Sequence, residues 1–305
     1  MLPSEVIKQY KKSGYRLIGK NKHSAVEICR WTKSALRGGK NCYKGWFGIK
    51  SHRCVQMTPC ILCDLSCQFC WRRSELKRTT LENWDNPKEI VDEAIKTQQE
   101  LISGFGGNDK TTKQLFKEAR NPKHFAISLD GEPTLYPNLA DLIKEIKSRG
   151  CTAFLVTNGT MPERLKEIIE KNAEPTNLYI SVYGTSKEDY EEVCRPFISD
   201  AFEKLKESLK LMKEFKESRK IFRITAVKNL NMKNPEGYSE LIKMSEPDFV
   251  EIKGYAWLGE SRKRLKKENV PTMEEIKDFA KELEKLTGYS IKEKDDVSRV
   301  VLMSK

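Results

Sequence analysis

The segment Cys63-Asp64-Leu65-Ser66-Cys67-Gln68-Phe69-Cys70 brings three thiols within eight residues, so one loop can turn all three sulfurs onto one object. Its spacing is C-x3-C-x2-C. A structural zinc site takes four protein ligands. A cubane iron–sulfur cluster has four irons, and ferredoxins ligate each with a cysteine. Three close cysteines point instead to a cluster with one iron left open for a substrate. A structural zinc knuckle is the alternative that spacing alone leaves standing. Cys60 lies three residues before Cys63 and reads as a packed thiol, because Cys63, Cys67 and Cys70 complete the pattern by themselves.

Outward from this loop the chain alternates. Cys54 to Pro59 is predicted as the first strand, running directly into the loop, and Trp71-Arg72-Arg73 follow it. Upstream, Pro3 to Ser13 reads as a short amphipathic helix that turns at Gly14. Downstream, a helix is predicted over 86–103, with Pro87 in its first turn and Ile90, Val91, Ala94, Ile95 and Leu101 at near-helical spacing. Strands are expected at 125–129, 153–156, 178–182, 221–227, 249–253 and 297–303. Helices are expected at 139–147, 161–172, 200–218, 237–244 and 273–287. The segment 105–123 reads as a polar, mobile insertion. Repeated strand–helix alternation is the pattern of a parallel α/β fold. Polar motifs fall where strands end: Asp130-Gly131-Glu132-Pro133, Thr157-Asn158-Gly159-Thr160, and Tyr183-Gly184-Thr185. Barrels and open α/β sheets place their active sites at those ends.

Composition narrows the class. The 305 residues carry 56 Lys+Arg against 44 Asp+Glu, a formal charge of +12. That excess points to an anionic partner, with nucleic acid first, unless the charges are merely spread evenly. Of nine cysteines, seven lie between Cys29 and Cys70. Met1 leads into a polar, lysine-rich segment without the marks of a secretory leader. No apolar run approaches the ~18 residues a membrane span needs. A cytoplasmic protein with clustered cysteines is expected, and its thiols serve metal or redox chemistry and not disulfides. Cys29, Cys42 and Cys54 form a second set, separated by 12 and 11 intervening residues. Such gaps make no local knuckle, so only the fold could gather them.

The cysteine triad with an aromatic before its last member, the Asp130–Pro133 turn, the Thr157-Asn158-Gly159 turn and Ser181 together resemble the radical S-adenosylmethionine (SAM) enzymes. The resemblance implies a partial (β/α)6 barrel and a [4Fe-4S] cluster on Cys63, Cys67 and Cys70 whose open iron binds SAM. It implies SAM-binding roles for Phe69, Asp130, Glu132, Asn158 and Ser181, with Glu251, Lys253 and Gly254 near the adenine. The family's usual turn begins Gly-Gly; here the first glycine is Asp130. Whether Asp130 or Glu132 meets the SAM ammonium is left open by that departure.

A closer resemblance covers most of residues 29–260. The upstream cysteines, Lys40-Asn41-Cys42-Tyr43-Lys44, Ser51 to Pro59, Cys70-Trp71-Arg72-Arg73 and Ser128 to Pro133 together resemble the tRNA 4-demethylwyosine synthases, in their archaeal type without a flavodoxin-like domain. Those enzymes condense N1-methylguanosine, 3′ of the anticodon of tRNA(Phe), with two carbons of pyruvate. The resemblance implies a second [4Fe-4S] cluster on Cys29, Cys42 and Cys54. Its open iron, or a lysine Schiff base, would hold pyruvate. Lys44 and Lys40 flank Cys42, and Lys44 is the preferred candidate. An external flavodoxin- or ferredoxin-like electron donor and a monomer are expected. Arg37, Arg72 and Arg73 are candidate RNA contacts, joined by Lys40, Lys110, Lys113 and Lys117. The expected organisation is an N-terminal cysteine-bearing extension (1–53), a core barrel (54–260), and a C-terminal helix and strand packed on it (261–305). Two alternatives remain: another radical SAM enzyme acting on RNA, transferring methyl or methylthio groups, and an iron–sulfur RNA-binding protein.

Overall fold

A computed structural model describes residues 4–72 and 81–305. They divide into two compact units, neither continuous in sequence. The first comprises Met1–Leu62, Thr79–Leu155 and Lys171–Thr176; the second comprises Cys63–Arg78, Val156–Glu170 and Asn177–Lys305.

In the first unit, α1 (Ser4–Lys12) leads into β1 (Arg16–Ile18) and β2 (Ser24–Glu27), an antiparallel hairpin whose second strand pairs with β3 (Cys54–Thr58). β3, β4 (His124–Ile127) and β5 (Thr152–Thr157) run parallel, with Cys54, His124 and Thr152 in register at their starts. Between β2 and β3 lies α2 (Arg30–Leu36), and α3 (Pro87–Leu101), α4 (Lys113–Ala119) and α5 (Leu139–Ser148) complete the unit. Asn86 caps α3 by accepting from Lys88 N at 2.9 Å, with Pro87 at the position that needs no N–H. Ile90, Val91, Ala94, Thr97 and Gln98 form its buried stripe.

The predicted mobile insertion is instead a packed element. Thr112 caps α4, and Phe105, Leu115 and Phe116 pack against the buried Ile28, Leu36, Ile102 and Ala119. Leu115 and Phe116 stand four and three residues before Ala119, and the polar residues around them hid this short stripe.

The second unit opens with the cysteine loop and α6 (Pro162–Glu170). It continues through β6 (Asn177–Val182), α7 (Lys187–Cys194), α8 (Ala201–Leu211), β7 (Arg219–Ala226), α9 (Pro235–Ser245) and β8 (Phe249–Gly254). It ends with α10 (Met273–Thr287), β9 (Ser290–Asp295) and β10 (Val300–Ser304). β6, β7 and β8 are parallel; β10 pairs antiparallel with β8 and with β9. Every position of β6 is buried, as expected for a parallel strand covered on both faces.

Three parallel strands in each unit supply the six of the expected (β/α)6 arrangement. Besides α4, further elements differ from expectation, among them α2, which forms over a stretch that reads as a flexible loop. The helix predicted over 200–218 is α-helical to Leu211 and ends in a 3-10 turn at Met212–Glu214, before Phe215 turns into the core and β7 begins at Arg219. α7 was not anticipated; Ser186 caps it through Asp189 N. β9 was also missed, since Ser290-Ile291-Lys292-Glu293-Lys294-Asp295 has an edge strand's charged pattern and is held by its backbone ladder to β10.

Candidate functional site: two cysteine sets and their strand-end partners

In the second unit the loop bearing Cys63, Cys67 and Cys70 is pinned by its backbone. Ser66 N donates to Cys194 O (2.9 Å), Gln68 N to Val193 O (2.9 Å), and Phe197 N to Asp64 O (2.9 Å). Leu65 bridges Pro196, a position reached because Arg195 ends α7 in the left-handed region at φ 46°. From the other side, Arg264 donates Nε to Gln68 O (3.0 Å) and its terminal nitrogen to Cys70 O. Each of these bonds spends main-chain groups, not sulfur. The three thiols stay half-buried, whereas Cys60 is fully buried, and no disulfide joins any of the nine cysteines.

Strand-end residues of the same unit converge on the loop. Asn158 Nδ2 donates to Asp64 Oδ1 at 2.8 Å and lies 4.0 Å from Cys63 Sγ; its Oδ1 accepts from Thr160 N and Oγ1. Phe69 stacks obliquely on Tyr183 at 4.7 Å. Burial and the neighbouring Cys67 push the Tyr183 phenol up, against a hydrogen bond with Ser181 and the Arg223 charge. Ser181, Arg223 and Glu251 are register partners across β6, β7 and β8, so their side chains share one face. Arg223 pairs with the fully buried Glu251 at 3.0 Å.

In the first unit the second set is gathered despite its long gaps. Cys29 precedes α2, Cys42 precedes the turn Tyr43–Phe47, and Cys54 opens β3. Ser51 joins them: its hydroxyl accepts from Cys42 N (2.8 Å), and its carbonyl accepts from Thr32 in α2 (2.8 Å). Burial drives the Cys54 thiol up, Cys29 and Cys42 add to the rise, and the Lys44 ammonium opposes it. Lys44 N also donates to Cys42 Sγ at 3.5 Å. Lys44 is half-buried and Lys40 is exposed.

The Asp130 turn also lies in this unit. Asp130 Oδ1 accepts from Gly131 N (2.8 Å) and Oδ2 from the Tyr10 hydroxyl (2.6 Å), a buried contact from α1. Glu132 Oε1 accepts from Thr134 N and Oγ1, and Glu132 N donates to Leu62 O (2.6 Å). Gly131 has φ 68°, and a Cβ there would overlap the Cys60 carbonyl and the Ile61 and Leu62 backbone. The chain entering the cysteine loop is itself fixed by His23. Asp85 N donates to its Nε2 (2.8 Å), so the proton sits on Nδ1 and is donated to Pro59 O (2.7 Å).

Among the described residues, no three Cys, His, Asp or Glu side chains close on a single metal ion. A cubane spreads its thiolates over separate irons, and three half-buried thiols on one pinned loop fit that donor set. Asp64 Oδ2 is buried beside them and accepts no hydrogen bond from the described residues, an acceptor that a bound ligand's donor would satisfy. Of the candidate RNA contacts, Arg37 lies over Phe105 (5.3 Å) and Arg72 over Trp71 (3.7 Å). Lys110, Lys113 and Lys117 are exposed, and Arg73 lies outside the described residues. Sequence reasoning placed Tyr183 at a strand end without giving it a role, and it missed Tyr10, Arg223 and Arg264. Of these three only Arg223 left a signal, as a charge alternating with apolar residues inside a predicted strand.

Residues 57–242 match the radical SAM superfamily, and residues 244–305 match the family described as wyosine base formation. Over 99% of its length the chain is 45% identical to the SAM-dependent tRNA 4-demethylwyosine synthase of Pyrococcus abyssi, covering 89% of that protein. The chain belongs to the tRNA 4-demethylwyosine synthases. Membership makes it a radical SAM enzyme of tRNA wyosine formation, with SAM and a [4Fe-4S] cluster as its cofactors. Two solved structures match this synthase over its whole length. One is TYW1 with a lysine–pyruvate adduct bound (TM-score 0.89, 34% identity, 96% of that chain covered). The other is archaeal TYW1 (TM-score 0.82, 31% identity, 96% covered). No helix among the described residues is long and apolar enough to cross a membrane.

Proposed function

We propose that this synthase condenses N1-methylguanosine, 3′ of the anticodon of tRNA(Phe), with two carbons of pyruvate, and that its two cysteine sets divide the work. Cys63, Cys67 and Cys70 hold the SAM-binding cluster. Bound together, that cluster and SAM supply a radical able to take a hydrogen atom from an unactivated methyl group. Asp130, Glu132, Asn158, Ser181 and Phe69 serve the SAM side. Asn158 acts by fixing Asp64 beside Cys63, and Phe69 by packing on Tyr183.

Cys29, Cys42 and Cys54 hold a second [4Fe-4S] cluster at the pyruvate side. The observation that carries this reading is the gathering of these three thiols around Lys44. Lys44 is the lysine for a Schiff base: its neutral amine attacks the pyruvate carbonyl carbon, water leaves, and the imine that remains takes a proton from solvent to become an iminium. Lys40 is exposed, whereas Lys44 is half-buried and its ammonium acts on the Cys54 thiol, so Lys40 is the weaker candidate. A relative's lysine–pyruvate adduct supports a lysine in this role. Arg37, Arg72 and Arg73 contribute to tRNA binding. A monomer, a cytoplasmic location and an external flavodoxin- or ferredoxin-like electron donor belong to the same reading.

Borohydride trapping of labelled pyruvate tests it. Wild type and Lys40→Ala trap label; Lys44→Ala does not, while SAM and tRNA binding persist. Trapping that survives in Lys44→Ala and vanishes in Lys40→Ala transfers the role, and no trapping in wild type removes the Schiff base.

A further inference from the structure

Among the described residues three large apolar side chains are well exposed, and two of them, Trp71 (43%) and Leu258 (45%), stand on segments that meet beside the cysteine loop. Glu260 N donates to Trp71 O at 3.0 Å, and Gly259, at φ 53°, lies so close to Trp71 that a Cβ would overlap its carbonyl. A second tryptophan extends the face. Trp257 Nε1 donates to Leu265 O at 2.8 Å, which fixes its ring. Each tryptophan carries a guanidinium: Arg72 at 3.7 Å from the Trp71 centroid and Arg262 at 4.9 Å from that of Trp257. Exposed lysines continue the strip at Lys263, Lys266 and Lys267.

Its place in the chain matters as much as its chemistry. The radical SAM match ends at residue 242, and Trp257 to Lys267 fall within the match to wyosine base formation. The part of the chain specific to this family thus puts an aromatic, cationic surface against the loop. A soluble surface seldom exposes adjoining large apolar groups without a partner. Proteins read unpaired nucleotides by stacking bases on aromatic rings and guanidinium planes, with cations tracking the phosphates.

We propose that Trp71, Leu258 and Trp257, with Arg262 and the lysines beside them, form the platform on which unpaired bases of the tRNA anticodon loop stack. The proposal rests on tRNA as the substrate and on the Cys63–Cys70 loop as the reaction centre. Trp71 directly follows Cys70, so a nucleotide delivered to that loop brings its single-stranded neighbours near this face, where they need somewhere to stack.

The test titrates the reconstituted enzyme into a labelled anticodon stem–loop of tRNA(Phe) carrying N1-methylguanosine, across a range of salt. Trp71→Ala should raise the dissociation constant about five- to a hundredfold, the range for losing one base–aromatic stack. Trp71→Phe, which keeps a π face, should recover most of the loss, and the salt slope should not change, because no phosphate contact is removed. Leu258→Ser, at an exposed position, should weaken binding in the same direction. The proposal is overturned if Trp71→Ala binds like wild type, if phenylalanine rescues no better than alanine, or if an acceptor-stem minihelix loses as much affinity. Unchanged RNA affinity with slower reduction by flavodoxin would overturn it in favour of a protein partner. A wild type that does not bind the stem–loop overturns the tRNA reading as well.

Discussion

Tyr10→Phe is the most informative single change outside the cysteines. It leaves the ring in place against Tyr15, where the two rings meet edge to face at 5.2 Å, and removes only the hydroxyl. That hydroxyl makes a 2.6 Å bond to Asp130 Oδ2, with both residues 7% exposed, so water cannot readily replace it. A hydrogen bond to a charged group contributes about 1.5–3 kcal/mol, and Tyr10→Phe removes this one. For a chain of 305 residues the midpoint of thermal unfolding should fall by about 2–5 °C. The loss is local to the Asp130 turn, so the SAM dissociation constant of the reconstituted enzyme should rise about three- to tenfold. A double-mutant cycle isolates the contact. In an Asp130→Gly background, which restores the residue usual in the radical SAM turn, Tyr10→Phe should cost less than about 0.5 kcal/mol, because its partner is gone. Equal costs of Tyr10→Phe in the two backgrounds would refute the coupling. If Asp130→Gly itself leaves SAM affinity unchanged, the turn does not serve SAM.

Other predictions follow from single geometric facts. Cys63→Ala, Cys67→Ala and Cys70→Ala should each abolish 5′-deoxyadenosine formation, whereas Cys60→Ala should retain it; retention in any of the three removes that residue from the ligand set. The Cys29, Cys42 and Cys54 triple alanine variant should still cleave some SAM yet give no tricyclic base, and iron analysis should fall from about eight to about four per chain if each set holds a four-iron cluster. Gly131→Ala should cost several kcal/mol, since its φ of 68° disfavours a side chain and the Cys60, Ile61 and Leu62 backbone leaves no room; a variant melting like wild type would contradict the packing. Burial, then the charges of Arg53, His52, Lys50 and Lys123, lower the His124 pKa to about 4. The unfolded chain therefore takes up this proton first, and stability should decline as pH falls from about 6.5 toward 4. His124→Gln should flatten that decline in pH-dependent denaturation curves, and an unchanged slope would show that His124 does not contribute.

What the sequence determined alone is what depends on near neighbours. Three thiols in eight residues must share a loop, because the chain cannot carry them far apart, and the strand–helix alternation follows from side-chain periodicity within each segment. The strand-end positions of Asp130, Asn158 and Tyr183 were legible for the same reason. Local pattern failed where an element is stabilised from elsewhere. β9 is too polar to declare itself and exists through its ladder to β10, and α4 shows its apolar face only against Leu36 and Ile102. Tertiary structure alone decided the rest. Gaps of 12 and 11 residues leave Cys29, Cys42 and Cys54 unrelated until α2 and β3 pack, and only then does Lys44 stand beside them. Tyr10 reaches Asp130 across 120 residues, and Arg264 holds Gln68 and Cys70 across more than that. Such contacts cannot be written in spacing, because bringing distant segments together costs conformational entropy that only the assembled hydrophobic core offsets.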